Sequence, residues 1–129
     1  MNGIIIRISG SLVVARDVPG AKMFDLVLVG KSRLMGEIVK IKEEAVFIQV
    51  YEETMGICVG EEVVNTQMPL SVELGPGLLS SIYDGVQRPL PILEKISGSF
   101  IDRGIAAPGL PRELRWHFTP YVKKGDFVE

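Results

Sequence analysis

The feature that most constrains this chain is a train of short β-branched runs, each closed by a turn, over residues 3 to about 74. Ile4–Ile8 and Leu12–Val14 flank Ser9-Gly10-Ser11. Asp25–Val29 leads into Gly30-Lys31-Ser32, and Gly36–Ile41 leads into Lys42-Glu43-Glu44. Ala45–Tyr51 completes that last hairpin, with Val46, Ile48 and Val50 on one face because strand side chains alternate. A further pair of strands is expected around Glu62–Val64 and Leu70–Leu74, where Val72 and Leu74 alternate with polar neighbours. Strands recurring every 8–12 residues or so are the pattern of a small sandwich or barrel. The expectation is a closed or nearly closed antiparallel barrel over residues 2–73, with Val46, Ile48 and Val50 pointing inward. Leu26/Leu28 and Val27/Val29 make one strand apolar on both faces, so part of the outer surface needs a cover from outside the barrel.

The second half is organised differently. Gly75-Pro76-Gly77 breaks the strand pattern, since proline removes a donor and glycine admits positive φ. Leu78, Leu79, Ile82 and Tyr83 then fall at helical spacing, which predicts a short helix over 78–87 with Gly85 as its C-cap. Arg88-Pro89-Leu90-Pro91 predicts a stiff linker, Ile92–Ile96 a short helical or extended piece, and Ser97–Pro111 loops. Trp116–Val122 predicts a strand and Lys123–Asp126 a hairpin turn. Phe127-Val128-Glu129 then opens a strand with no partner, as expected of a fragment. The expected division is a barrel over 1–74, a helix and linker over 75–110, and a truncated further region over 111–129.

A hydrophobic content of 47% with 23% charged residues is the profile of a folded chain with a core. No apolar run approaches the roughly 18–20 residues that cross a bilayer, and no basic n-region precedes a cleavable apolar stretch. With a single cysteine, Cys58, there is no internal disulfide, which fits a cytoplasmic location. Cys58 is expected to be a partly buried hydrophobe.

The motifs that suggest chemistry fail on inspection. Gly30-Lys31-Ser32 matches the end of a phosphate-binding loop, but that loop needs a glycine at position 25, where Asp25 stands. It also needs a following helix, and Arg33–Ile41 has strand character. Gly75-Pro76-Gly77-Leu78-Leu79-Ser80 lacks the third glycine of a dinucleotide loop, and Pro76 removes an amide where pyrophosphate would sit. His117 has no histidine or cysteine beside it to share a metal. Asp84, Asp102 and Asp126 stand in turns as caps. Trp116, Phe118 and Tyr121 are expected to anchor a small core. No residue is therefore assigned to catalysis, to ATP or to a metal.

The string SVELGPGLLSSIYDGVQRPL, Ser71–Leu90, closely resembles a segment of the catalytic A subunit of archaeal (A-type) and vacuolar (V-type) rotary ATPases. GIIIRISGSLVVARDVPGAKMFDLVLVG resembles that family's first barrel strands, and GEIVKIKEEAVFIQVYEETMGI its central hairpin. GSFIDRGIAAPGLPRELRWHFTPYVKKGD resembles the section that enters an insertion particular to the catalytic A subunit. The resemblance implies a six-stranded β-barrel, then a short helix, a proline-rich linker and the start of an inserted, β-rich bulge. It also implies an assembly role in a hexameric ring of alternating A and B subunits, with peripheral-stalk and central-stalk subunits as further partners. The complex would lie on the cytoplasmic side, peripheral to the membrane. The parent subunit would bind ATP and Mg and hydrolyse or form ATP coupled to H+ or Na+ transport. The phosphate loop and catalytic residues of that family have no matching positions here, so this part is expected to be inactive alone.

The rival is an OB-like barrel gripping single-stranded nucleic acid through Lys40, Lys42, Phe47 and Tyr51. Such grooves need net positive charge and exposed aromatics, whereas this chain has a net charge of −2 and 7% aromatics. An independent small enzyme is a third possibility, against which the failed motifs weigh.

Overall fold

A computed structural model describes residues 2–128; Met1 and Glu129, the end of the terminal Phe-Val-Glu run, lie outside the described residues. Its strands are β1 (Gly3–Ser9), β2 (Leu12–Arg16), β3 (Asp25–Val29), β4 (Leu34–Lys42), β5 (Ala45–Val50) and β6 (Glu62–Pro69). All pair antiparallel in the order β1-β2-β5-β4-β3-β6, and β6 returns to β1 to close a barrel.

Alternation and register together sort the side chains. Ile5–Ala15–Val46–Ile41 and Ile8–Val13–Ile48–Ile38 form consecutive inward rows across β1, β2, β5 and β4, with Ile41 at the exposed rim. With Val27, Val29, Leu34, Val50 and Val63 these rows make one core, in which Ile48 is 0% exposed. The expected inward triplet Val46, Ile48 and Val50 is buried there. Gly36 shows how tightly this interior is filled: an added Cβ would sit 2.8 Å from Ile48 Cγ2 and 3.0 Å from the Gln49 carbonyl. Bulges interrupt β1 between Ile5 and Arg7 and β4 between Ile38 and Lys40. A bulge adds one residue and sharpens strand twist, which helps a small sheet curl shut.

Beyond the barrel, several expectations need correction. Leu70–Leu74 is not a strand; β6 reaches Pro69 through an irregular step between Asn65 and Pro69, where Gln67 takes φ 59°, and the ladder ends there. The Gln87 side chain takes the place of a partner strand, donating to the Glu73 carbonyl at 2.6 Å and accepting from its amide at 2.5 Å. Nor do residues 78–87 form an α-helix. Only a 3-10 turn forms at Pro76–Leu78, because Ser80 and Gln87 take left-handed φ of 61° and 62° and the Asp84 side chain draws the chain into a turn. The apolar spacing there does not report burial, since Leu79 and Ile82 are exposed, and Gly85 caps nothing helical.

The α-helix comes later, at α1 (Leu90–Ser97). The prolines expected to stiffen a linker start it instead: Pro89 is the N-cap and Pro91 lies in the first turn, where a missing N–H costs nothing. Gly98 ends it at φ 76°, its amide donating to the Glu94 carbonyl at 2.8 Å. Leu93 is its buried residue. Finally, Trp116–Val122 is not a strand, and residues 111–128 contain none. Phe118 is 81% and Tyr121 100% exposed, so these aromatics anchor no core. Trp116 is 53% exposed, its ring lying beside Gly77 of the earlier turn.

Candidate functional site

Two places gather side chains that can do more than fill the core. The first is a junction where the barrel meets the segment that leaves it. Asp84 folds its own turn: Oδ1 accepts from the Val86 and Arg88 amides at 3.0 and 2.8 Å. Its Oδ2 accepts from Arg88 Nε at 2.6 Å. Arg88 is buried, and its Nη1 donates to Glu52 Oε1 at 3.3 Å and to the Ile105 carbonyl at 3.0 Å. Glu52, just after β5, uses Oε2 to accept the Gly104 amide at 2.9 Å. One guanidinium thus ties barrel, turn and a distant loop together. Burial pushes the Asp84 carboxyl up, but the hydrogen bonds from Arg88 and Val86 outweigh it and hold the group below the usual carboxylate range. Gly104 lies so close to the Ser32 carbonyl that a Cβ would have no room, which presses the same loop onto the β3–β4 turn. A cleft of about 320 Å³ opens beside the junction, lined on its apolar side by Met35, Leu70 and Val86.

The second place is the outer wall of β1, β2, β5 and β4. Register sets Arg7–Val14–Phe47–Lys40 in one outward row and Ile4–Arg16–Ala45–Lys42 in the next. Lys40 Nζ lies 5.6 Å from the Phe47 ring centroid, within cation–π range. Three of the four residues named for nucleic-acid binding are therefore neighbours. Tyr51 is not: it lies beyond the end of β5, with its hydroxyl on Glu37 Oε2 at 3.1 Å. Burial, then that carboxylate, raise the Tyr51 phenol above its ordinary value.

The residues that suggested chemistry do not fit a magnesium nucleotide. Gly30-Lys31-Ser32 is the β3–β4 hairpin turn, with Gly30 at φ 72°. The Lys31 amide already donates to Glu61 Oε2 at 2.8 Å, so a carboxylate occupies the place a phosphate would need. The same Glu61 accepts the Cys58 amide at 3.2 Å, and Cys58 is exposed rather than the partly buried hydrophobe expected. Among the described residues, no group of three or more His, Cys, Asp or Glu is placed to hold a metal. Asp84 and Asp126 do cap turns, Asp126 Oδ2 accepting the Lys123 amide at 2.7 Å.

Comparison with known proteins agrees with this geometry. The profile of the ATP synthase alpha/beta family, beta-barrel domain, matches residues 5–67, the stretch that forms the closed barrel. The A subunit of the A-type ATP synthase of Thermococcus onnurineus is 58% identical over 126 residues, 98% of this chain and 22% of that protein. The V-type ATP synthase alpha chain of a Thermoanaerobacter species is 60% identical over 126 residues, covering 98% and 21%. An A-type ATP synthase A subunit of Methanospirillum hungatei is 54% identical over 129 residues, covering 100% and 22%. Residues 5–67 are a beta-barrel domain of the ATP synthase alpha/beta family. The chain spans about a fifth of the length of the curated relatives it matches. These relatives give the nucleic-acid rival no support.

The junction was the part that sequence inspection missed. The signal for half of it was present, as Asp84 and Arg88 stand four residues apart around a glycine. Glu52 carried no such signal, because only the fold brings it across 36 residues to Arg88.

Proposed function

We propose that this chain is the barrel part of the catalytic A subunit of a rotary ATP synthase, and that it serves assembly rather than catalysis. The observation that carries this is the 58–60% identity that runs for 126 residues through barrel, junction and trailing segment alike. In this reading the whole subunit binds ATP and Mg and makes or splits the β–γ phosphate bond, coupled through membrane subunits to H+ or Na+ movement. Barrels of alternating A and B subunits meet in a ring, with peripheral-stalk and central-stalk subunits completing the complex. The complex sits on the cytoplasmic side, peripheral to the membrane. Among the described residues no helix is long and apolar enough to cross one.

The barrel offers the ring a stable, edge-free body, and the Arg88 junction fixes the direction in which the chain leaves it. Calorimetry with Mg-ATP should show no binding to this chain, and the B subunit should co-purify with the whole subunit that carries it. A magnesium-dependent micromolar dissociation constant would overturn the non-catalytic reading. Alone, the chain should sediment as a monomer at micromolar concentration, because interfaces below about 1,000–1,200 Å² hold weakly.

A further inference from the structure

The outer wall of β1, β2, β5 and β4 has a charge pattern that the rest of the chain does not share. In the rows Arg7–Val14–Phe47–Lys40 and Ile4–Arg16–Ala45–Lys42 every ionisable side chain is cationic, on a chain whose net charge is −2. Among the described residues, Arg7, Lys40 and Lys42 form no ion pair; Arg16 alone does, with Asp17 at 3.6 Å. The nearest other carboxylates in register are Glu62 on β6, which pairs with Ile4 at the β1 end of the second row, Glu43 and Glu44 in the turn beyond Lys42, and Glu37 in the next outward row, which holds the Tyr51 hydroxyl. Inside this cationic frame lie Val14, only 8% exposed beneath its neighbours, and the half-buried Phe47. Both bulges fall at the ends of the central row, placing the extra residues Ile6 and Val39 beside Arg7 and Lys40, where they are 43% and 39% exposed.

We infer that this wall is a docking surface for an acidic protein surface, carboxylates meeting Arg7, Lys40 and Lys42 around an apolar group seated on the Ile6–Val14–Phe47–Val39 strip. The inference rests on the assembly reading, and names the face and the chemistry of the neighbouring subunit that meets it. Complementarity decides the class of partner: unpaired cations on an otherwise acidic chain steer carboxylates toward them and repel a basic surface. Single-stranded nucleic acid is the poorer fit. It needs free aromatic faces for stacking. Phe47 is the wall's aromatic, and Lys40 already covers its ring.

The test is an amide NMR titration of this chain with the B subunit as the probe. Resonances of β1, β2, β5 and β4 should broaden while those of β3 and β6 persist. The Lys40→Glu/Lys42→Glu variant should bind on the order of tenfold more weakly. Raising salt from about 50 to about 300 mM should weaken the unmodified chain in the same direction, because exposed charges are then screened within ~10 Å. These cations are exposed, so the variant should unfold at the same temperature, and Arg7→Glu gives an independent check from the opposite end of the row. Broadening confined to β3, β6 or residues 100–128 would overturn the inference while leaving the assembly reading intact. No broadening at all would overturn both. Wall resonances that respond to a single-stranded oligonucleotide and not to the B subunit would assign the wall to nucleic acid and overturn it as well.

Discussion

The barrel and the segment that follows α1 are both rich in apolar residues but handle them in opposite ways. In the barrel, Ile5, Val13, Ile38 and Ile48 meet across a closed sheet and lose all solvent contact. In residues 100–128, Phe100, Phe118, Tyr121 and Phe127 are strongly exposed and no strand or helix forms. The difference lies in partners rather than composition. A strand lowers its free energy only when a neighbour accepts its hydrogen bonds and a second face covers its side chains. Barrel closure supplies both from within residues 3–69. Between the two regions sits the Arg88 junction, which orders the turn and loop by polar contacts instead of a core.

The sharpest way to break this contrast is to remove the barrel's central contact. Ile48→Ala should cost about 2–5 kcal/mol in chemical denaturation, since the side chain is fully buried and its neighbours cannot collapse freely around the gap. A cost under about 1 kcal/mol would mean that the barrel is as loosely determined as the trailing segment.

Legibility in the sequence followed the same divide. Period-2 alternation in Ala45–Val50 reports a real two-faced environment, so the inward triplet could be named from residues alone. The bulges at Ile6 and Val39 could not, because a bulge shows only in pairing register. Past Pro69 the same rules misled. Leu78, Leu79, Ile82 and Tyr83 match a helical template, yet Asp84 competes for the amides a helix would use, and no core rewards the apolar face. The Trp116–Val122 run has strand composition without a strand partner. Of the candidate sites, the charged wall was half legible, as Lys40, Lys42 and Phe47 belong to one hairpin. The junction needed the fold to bring Glu52 to Arg88.

Arg88→Met probes the middle ground. It leaves the Asp84 and Glu52 carboxylates facing each other with little water, at a cost of about 3 kcal/mol; both keep some exposure, which holds the figure toward the low end. Hydrogen exchange should quicken at Gly104, Val86 and residue 88, while amides of β2 and β5 keep their protection. Equal loss of protection in the barrel would show that the junction is part of its cooperative unit.

Acidification sharpens the same point with a smaller effect. The folded Asp84 carboxyl lies below its unfolded value, so its contribution is fully present above about pH 3.9. That contribution is lost as pH falls from there through the depressed folded value. Stability measured between about pH 5 and pH 2 should therefore fall less steeply in Asp84→Asn than in the unmodified chain. Parallel slopes would mean that the Arg88 pair is not formed in solution.

The smallest effect should come from the trailing aromatics, and its smallness is the informative part. Phe118→Ser removes a ring that is 81% exposed and so loses almost no buried area. Surface changes of this kind usually stay within about 0.5 kcal/mol, and the chain's denaturation midpoint should not move. If the assembly reading holds, the same substitution could still matter in the complete complex, where a further segment or a neighbouring chain can cover the ring. Comparing the two settings separates the causes. A loss above about 1 kcal/mol in the isolated chain would place Phe118 in a core of this chain's own, and the contrast between a self-sufficient barrel and a partner-dependent tail would fail.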